Sequence, residues 1–166
     1  MRHLLLAAVA AAALSPALGQ AATLVGLTPD NRLVTIDTET RRAAAPVAIR
    51  GVEGRVLGID QRPADGPLAA LTDAWMLYRI DPRTGAATML SRLTERAELG
   101  GRAVVDFNPT VDRLRVMGIN GTNLRINVDT GATLVDGALK YAPADRNAGT
   151  MPRITAGAYS NSVKGA

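Results

Sequence analysis

The 166-residue chain contains no cysteine, and its only histidine is His3. Without cysteine there are no disulfides, thiolate metal ligands or thiol nucleophiles. His3 lies in a stretch that we interpret below as a leader. The mature chain therefore has no imidazole for a catalytic triad, a metal site or a general base. Aromatic residues make up only 3% of the chain, so its core must depend on smaller aliphatic side chains.

Lysine is also scarce, since Lys140 and Lys164 are the only two. Arginine supplies the rest of the 19 basic residues, which stand against 15 acidic ones. The arginines are scattered among carboxylates, and few aromatic side chains accompany them. A nucleic-acid surface has a clustered basic face with aromatic residues for stacking. The pattern therefore predicts a solvated, arginine-rich surface and no nucleic-acid partner.

Long apolar runs are limited to Leu4–Leu14. This run of about eleven residues is shorter than the roughly 20 that span a bilayer. It follows a basic start and precedes a Ser-Pro pair and small residues, the layout of a secretory signal peptide. We predict a signal peptide at residues 1–21, cleaved after Gly19 or Ala21. The mature protein would be periplasmic or extracellular, without an integral membrane segment; an uncleaved membrane anchor is the alternative.

Residues 22–166 contain a repeat. The segments Leu33–Asp37, Leu77–Asp81 and Arg125–Asp129 superimpose at offsets of 44 and 48 residues. A second motif, Ile59–Pro63, matches Val105–Pro109 at an offset of 46. A period in the mid-forties is typical of four-stranded propeller blades. We therefore predict an all-β, β-propeller-like domain of four-stranded antiparallel blades.

Alternation and turn residues divide two copies of the repeat into four strands each. The second copy is predicted to have strands near Val56–Asp60, Pro67–Thr72, Trp75–Asp81 and Ala87–Leu93. The third is predicted to have them near Ala103–Phe107, Arg113–Gly118, Asn123–Asp129 and Thr133–Leu139. Within Trp75–Asp81, alternation predicts a packed face with Met76, Tyr78 and Ile80, and a wetter face with Leu77 and Arg79.

The outer copies are incomplete. The first begins at the position of a second strand, and Ile154–Ser160 supplies only the first strand of a further copy. Together these make about three blades' worth of strands, whereas propellers typically have four to eight blades. We therefore expect an incomplete propeller, truncated at its C-terminus. Pairing with a second copy through open sheet edges is the alternative.

Three residues at the ends of predicted first strands are candidate metal ligands: Asp60, Asp106 and Asn108. In a propeller these strands line the central channel, where carboxylate and amide oxygens suit Ca²⁺. The same residues precede prolines, however, and Asp and Asn in such positions also form turns by binding nearby backbone N–H groups. Ca²⁺ is the only cofactor that the sequence raises.

Four residues around the Asn120-Gly121 hairpin form a candidate ligand-binding patch: Arg113, Arg115, Asn123 and Arg125. A two-residue Asn-Gly hairpin places the flanking strands side by side. The patch could hold a carboxylate, a phosphate or a sugar. The alternative is that its arginines pair across strands with neighbouring acidic residues, namely Asp112, Asp129 or Asp136.

The runs GIDQRPADGPLAAL, LYRIDPRTGAAT, VDFNPTVDRLRVMGINGTNLRINVDTGAT and AGAYSNS resemble the domain-of-unknown-function family four-three-nine-four, over about Leu24 to Ser162. The resemblance implies an exported bacterial, propeller-like β protein. It implies no activity and supplies no catalytic residue. Two hypotheses follow: a non-enzymatic binding or interaction module of unknown ligand or partner, or a metal-assisted (Ca²⁺) hydrolase or lactonase at the channel.

Overall fold

Twelve strands form three antiparallel sheets in the computed structural model, which describes residues 22–101 and 103–160. The predicted signal peptide, residues 1–21, lies outside the described residues. Within the described ranges there is no helix, and so none with the length and apolarity needed to cross a membrane. The predicted all-β fold with four-stranded antiparallel sheets is confirmed, and the arrangement is that of an incomplete propeller.

Each sheet consists of four strands that are consecutive in the chain. The first contains β1 (Thr23–Leu27), β2 (Arg32–Asp37), β3 (Arg42–Ala43) and β4 (Val47–Ala48). The second contains β5 (Val56–Gln61), β6 (Leu68–Thr72), β7 (Met76–Ile80) and β8 (Ala87–Arg92). The third contains β9 (Ala103–Asn108), β10 (Arg113–Gly118), β11 (Asn123–Ile126) and β12 (Thr133–Val135). All eight strands predicted in the second and third sheets are present, with ends that differ by at most four residues.

Among the described residues, the first sheet lacks the first strand of a blade, which is the inner strand that lines the channel of a propeller. β2 pairs with β1 on one side and with the short β3 and β4 on the other, so the latter two act as one interrupted outer strand. The other edge of β1 pairs with no described strand. A groove of about 390 Å³ lies along this edge, between Leu24 and the segment Ile59–Gln61 of β5. Among the described residues, the first copy thus starts with β1, at the position of a second strand, as the repeat predicts.

The strand predicted over Ile154–Ser160 is wrong, since these residues form no β-ladder. A first strand is stabilised by pairing with the second strand of its own blade, and the described chain supplies none beside this segment. Instead, the backbone N–H of Tyr159 donates to the Asp106 carboxylate of β9 at 2.5 Å. The segment therefore lies beside the third sheet without joining it.

One turn recurs in all three sheets and corrects the alignment of the repeats. The side-chain oxygens of Asp37, Asp81 and Asn127 each accept a backbone N–H from two residues ahead. Such side-chain-to-backbone bonds fix the turn locally. The partner of Asp81 in the third copy is thus Asn127 and not Asp129, because the turn is defined by its hydrogen bonds. The corresponding offset is 46 residues, equal to that between the two first strands.

The fourth residue after each of these turn formers has a positive φ: 57° for Arg41, 72° for Gly85 and 73° for Gly131. In the second and third sheets this position lies directly against the preceding sheet. A Cβ at Gly85 would overlap the carbonyl oxygen of Ala48, and one at Gly131 would overlap that of Arg92. Glycine is therefore required twice over at these contacts, for its backbone conformation and for its size.

The second sheet is the middle layer of the molecule. One of its faces, with Met76, Tyr78 and Ile80, packs towards Leu33 of the first sheet. Its other face, with Leu77, packs towards the third sheet. The prediction of a wetter face at Leu77 is wrong: Leu77 is fully buried because sheets cover both sides of β7. The apolar residues that join the second and third sheets are Ala69, Leu71, Leu77, Leu93, Leu99, Phe107, Leu114, Val116, Leu124, Ile126 and Val128.

Arg62, in the loop after β5, clamps the second sheet to the third. Its guanidinium donates to both carboxylate oxygens of Asp112 at 2.9 and 2.7 Å, and to both of Asp129 at 2.8 Å. Its side chain is only 13% exposed. Hydrogen bonds from Arg62 hold the pKa of Asp129 below its ordinary value. The contact fixes the turns of the third sheet against the end of β5.

Candidate functional site

The third sheet has one apolar and one polar face. Period-two alternation sends Leu114, Val116 and Leu124 into the core shared with the second sheet. The neighbouring positions on β10 and β11 project to the opposite face, which points away from the second sheet. They are occupied by Arg113, Arg115, Met117, Asn123 and Arg125.

A cleft of about 350 Å³ lies on this polar face. Its floor is formed by the sheet, and its other wall is formed by the chain that follows β12. The sheet contributes Asp106, Arg115, Met117 and Asn123, while the chain after β12 contributes Leu139 and residues 157–159. We refer to this space as the third-sheet cleft. It brings two residues of the predicted ligand patch together with one predicted metal ligand.

Arg115 is the central polar residue of the third-sheet cleft. Its Nη1 donates to Oδ1 of Asn123 at 2.7 Å and to Oδ2 of Asp136 at 2.5 Å. Its Nε makes a longer bond of 3.4 Å to the Tyr159 hydroxyl. Burial opposes the charge of Arg115, but the hydrogen bonds to Tyr159 and Asp136 outweigh it and raise the pKa of the guanidinium. The side chain is thus charged and held in one orientation.

Asp136, just after β12, joins the two arginines of this face. Arg125 donates to its Oδ1 from Nε at 3.1 Å and from Nη2 at 2.8 Å, while Arg115 donates to Oδ2. These bonds, first from Arg125 and then from Arg115, hold the pKa of Asp136 below its ordinary value. The predicted cross-strand pairing with Asp136 is therefore present, and it organises the patch.

Arg113 stands apart from the other three patch residues. Its Nη1 donates to the backbone carbonyls of Val111 and Asp112, both in the turn that leads into β10. The structure thus brings Arg115, Asn123 and Arg125 together and uses Arg113 locally. The pairing of β10 with β11, in which Arg115 lies opposite Arg125, accounts for the grouping.

Asp60 and Asp106 occupy equivalent positions in the adjacent inner strands β5 and β9. Asp60 Oδ2 accepts the backbone N–H of Phe107 at 2.7 Å, and Asp106 Oδ2 accepts that of Tyr159 at 2.5 Å. Each carboxylate therefore ties its strand to the segment one repeat further on. The sequence predicted that these carboxyls converge, and in the structure the Asp106 carboxyl is near enough to raise the pKa of Asp60.

Burial, followed by the neighbouring Asp106 carboxyl, raises the pKa of Asp60. The backbone N–H of Phe107, which donates to Asp60, acts in the opposite direction and lowers this pKa. The third predicted metal ligand, Asn108, accepts the backbone N–H of Thr110 at 3.0 Å and so forms a turn. In the part of the chain that is described, no group of three or more acidic or histidine side chains is arranged to hold a metal ion.

A family model described as Domain of unknown function (DUF4394) matches residues 32–166. The chain belongs to this family. The match includes every residue of the third-sheet cleft, and it confirms the resemblance seen in the sequence motifs. No curated protein matches the chain. The family match brings with it no activity, ligand or catalytic residue.

In this DUF4394 domain, some residues that form or support the cleft were not predicted from the sequence as site residues. Tyr159 and Leu139 were not candidates, because their contacts with β10 cross long stretches of chain. Asp136 was recognised only as a possible partner of the arginines. The one available signal for Tyr159 was its alignment with Phe107, since equivalent residues in a repeat make equivalent contacts. Both indeed donate their backbone N–H to the aspartate of the preceding copy.

Proposed function

We propose that this chain is an exported, non-catalytic module that binds a small polar ligand in the third-sheet cleft. The observation that carries the proposal is the convergence of Arg115, Asn123, Asp106 and the Tyr159 hydroxyl around one space of about 350 Å³. Ligand sites commonly combine such a volume with a few fixed polar groups and apolar walls. Export rests on the leader pattern of residues 1–21.

The polar groups of the cleft are held in place before any ligand arrives. Arg115 is fixed by three side chains, and Asn123 is fixed both by Arg115 and by its strand pairing. Such preorganisation lowers the entropy lost on binding. The composition of the chain also favours binding over catalysis, because there is no cysteine and the only histidine, His3, is in the predicted leader.

The experiment fills the cleft without removing any polar group. Met117→Trp adds bulk at the base of the cleft, where the Met117 side chain already lies close to Gly157. Met89→Trp is the matched control, since Met89 is 56% exposed on β8 and outside the cleft. Backbone amide shifts are recorded with glucose, maltose, glucuronate and inorganic phosphate as probes.

We expect at least one probe to shift the amides of Asn123 and Tyr159 in the wild-type protein and in Met89→Trp, but not in Met117→Trp. Equal binding by Met117→Trp, or no shift at the cleft with any probe, would contradict the proposal. If the protein turns over ester, lactone or glycoside substrates and Asp106→Ala abolishes the turnover, the protein is an enzyme and the proposal of a non-catalytic module is wrong.

The second candidate is a Ca²⁺-assisted hydrolase or lactonase at the inner strands. It is favoured by the repulsion between the neighbouring Asp60 and Asp106 carboxyls, because a bound cation would offset it. This candidate predicts that Ca²⁺ raises the melting temperature, that EDTA reverses the rise, and that Asp60→Asn abolishes it. A melting curve that Ca²⁺ leaves unchanged argues against it.

A further inference from the structure

The formal charges around the third-sheet cleft cancel. Its charged lining residues are Arg115 and Asp106, one of each sign, and the neighbouring ion pair of Arg125 with Asp136 adds one further charge of each sign. Both arginines already donate to Asp136, whose side chain is only 22% exposed. An anionic ligand that took over these guanidinium groups would leave a largely buried carboxylate without its partners, which is unfavourable. A neutral ligand leaves the ion pairs intact.

The cleft still offers hydrogen bonds to such a ligand. Nη2 of Arg115 donates to no residue within the described ranges, and Asn123 Nδ2 makes only a long bond of 3.4 Å to the Gly137 carbonyl. The Asp106 carboxylate, beside Arg115 on the sheet, and the Tyr159 hydroxyl, on the opposite wall, are acceptors. A hydroxyl group both donates and accepts. Adjacent hydroxyls on one ligand therefore satisfy donors and acceptors on both walls.

The cleft also has an apolar part. It consists of Met117 on the sheet and of Leu139, Gly157 and Ala158 on the chain that follows β12. Gly157 lies close to the sheet, since a Cβ there would be 2.9 Å from the Met117 methyl group. The C–H faces of a sugar ring bury against surfaces of this kind, while the ring hydroxyls reach the polar groups.

We infer that the third-sheet cleft binds a neutral sugar, such as an uncharged mono- or disaccharide. The inference rests on the proposed function and specifies its ligand class. Charge cancellation disfavours anions, the paired donors and acceptors fit vicinal hydroxyls, and the apolar part fits a ring face. Arg115 and Asn123 are the recognition residues, while Arg125 and Asp136 hold Arg115 in place.

The test compares neutral and anionic sugars of the same shape, using the mature protein. Glucose and maltose are titrated against glucuronate and inorganic phosphate, with calorimetry and the amide shifts of Asn123 and Tyr159 as readouts. We expect the neutral sugars to bind at the cleft and glucuronate to bind about tenfold more weakly or not at all. Asn123→Ala should weaken maltose binding about fivefold or more.

Asn147→Ala is the matched control, because Asn147 bonds within its own exposed turn and should leave sugar affinity unchanged. Should Asn123→Ala fail to fold, as judged by its melting curve, Met117→Trp provides the second variant. Tighter binding of glucuronate or phosphate at the cleft overturns the neutral-sugar inference and leaves the proposed binding function standing. The absence of cleft shifts with all four probes overturns both.

Discussion

Gly131 shows how a single residue sets the distance between two sheets. It has a positive φ of 73°, and its missing side chain lets the turn rest on the carbonyl of Arg92. The adjacent backbone bond from Thr94 N–H to the Gly131 carbonyl, at 3.0 Å, depends on the same approach. The sequence marks this glycine as a turn residue, but its role as a spacer appears only when both sheets are seen.

Gly131→Ala should therefore destabilise the protein by about 2–4 kcal/mol, which combines the strain of a positive φ with overpacking against Arg92. Gly149→Ala is the matched control. Gly149 has a φ of 84°, and a Cβ there would meet nothing within 4 Å. It should cost only about 1 kcal/mol. Urea unfolding of both variants measures the difference, and equal losses would show that the contact with Arg92 does not constrain the structure.

For individual side chains, the sequence predicted some of the groupings and missed others. Arg115, Asn123 and Arg125 were grouped correctly because the Asn-Gly hairpin sets the pairing of two adjacent strands. The contact of Arg115 with Tyr159 spans 44 residues, and that of Arg62 with Asp129 spans 67. No local pattern encodes such contacts, since they arise only after the sheets have packed.

Among the larger elements, strand positions followed well from the sequence where two conditions were met. Alternating apolar residues and Gly, Pro or Asx turns bounded each strand, and a neighbouring strand was present to pair with it. Ile154–Ser160 met the first condition but not the second, so it remained outside the ladders. The predicted exposure of Leu77 was wrong for a related reason. Alternation along β7 cannot reveal that other sheets cover both of its faces.

The Arg62 clamp is a polar link between the second and third sheets. Arg62→Met keeps much of the side-chain bulk but removes four hydrogen bonds to two carboxylates. We expect a loss of about 2 kcal/mol in the free energy of unfolding, at the low end for a buried ion pair because Asp129 is 58% exposed.

Arg55→Met provides the comparison for this prediction. Arg55 forms an exposed ion pair with Asp73 at 3.7 Å, and such pairs contribute about 0–1 kcal/mol. Chemical denaturation of both variants gives the two free energies. A loss in Arg62→Met no larger than that in Arg55→Met would mean that apolar packing alone holds the two sheets together.

For the whole molecule, pH should act through the carboxylates that arginines hold. Asp129 and Asp136 have pKa values lowered from 3.8, by Arg62 and by Arg125 with Arg115 respectively. The folded protein therefore binds these protons less readily than the unfolded chain. The resulting stability is present above the unfolded pKa and is lost as pH falls through the folded values. Asp60, with its raised pKa, contributes with the opposite sign.

We expect the urea midpoint to fall between about pH 5 and about pH 3, because arginines in the folded protein oppose protonation of Asp129 and Asp136 over this range. Asp136→Asn should make this fall shallower, since one of the linked groups no longer titrates. Asp145→Asn is the control, as Asp145 lies in an exposed turn between Leu139 and residues 157–159. A midpoint independent of pH over this range, or an equal change in both variants, would contradict the assignment.

Arg41 distinguishes the turn of the first sheet from the equivalent turns of the other two sheets. In the second and third sheets, the equivalent position is a glycine because it touches the sheet before it. In the first sheet, an arginine with a φ of 57° occupies this position. Arg41 is exposed, whereas Gly85 and Gly131 each lie against a carbonyl of the preceding sheet. The position therefore carries a side chain only in the sheet where no described sheet lies against it.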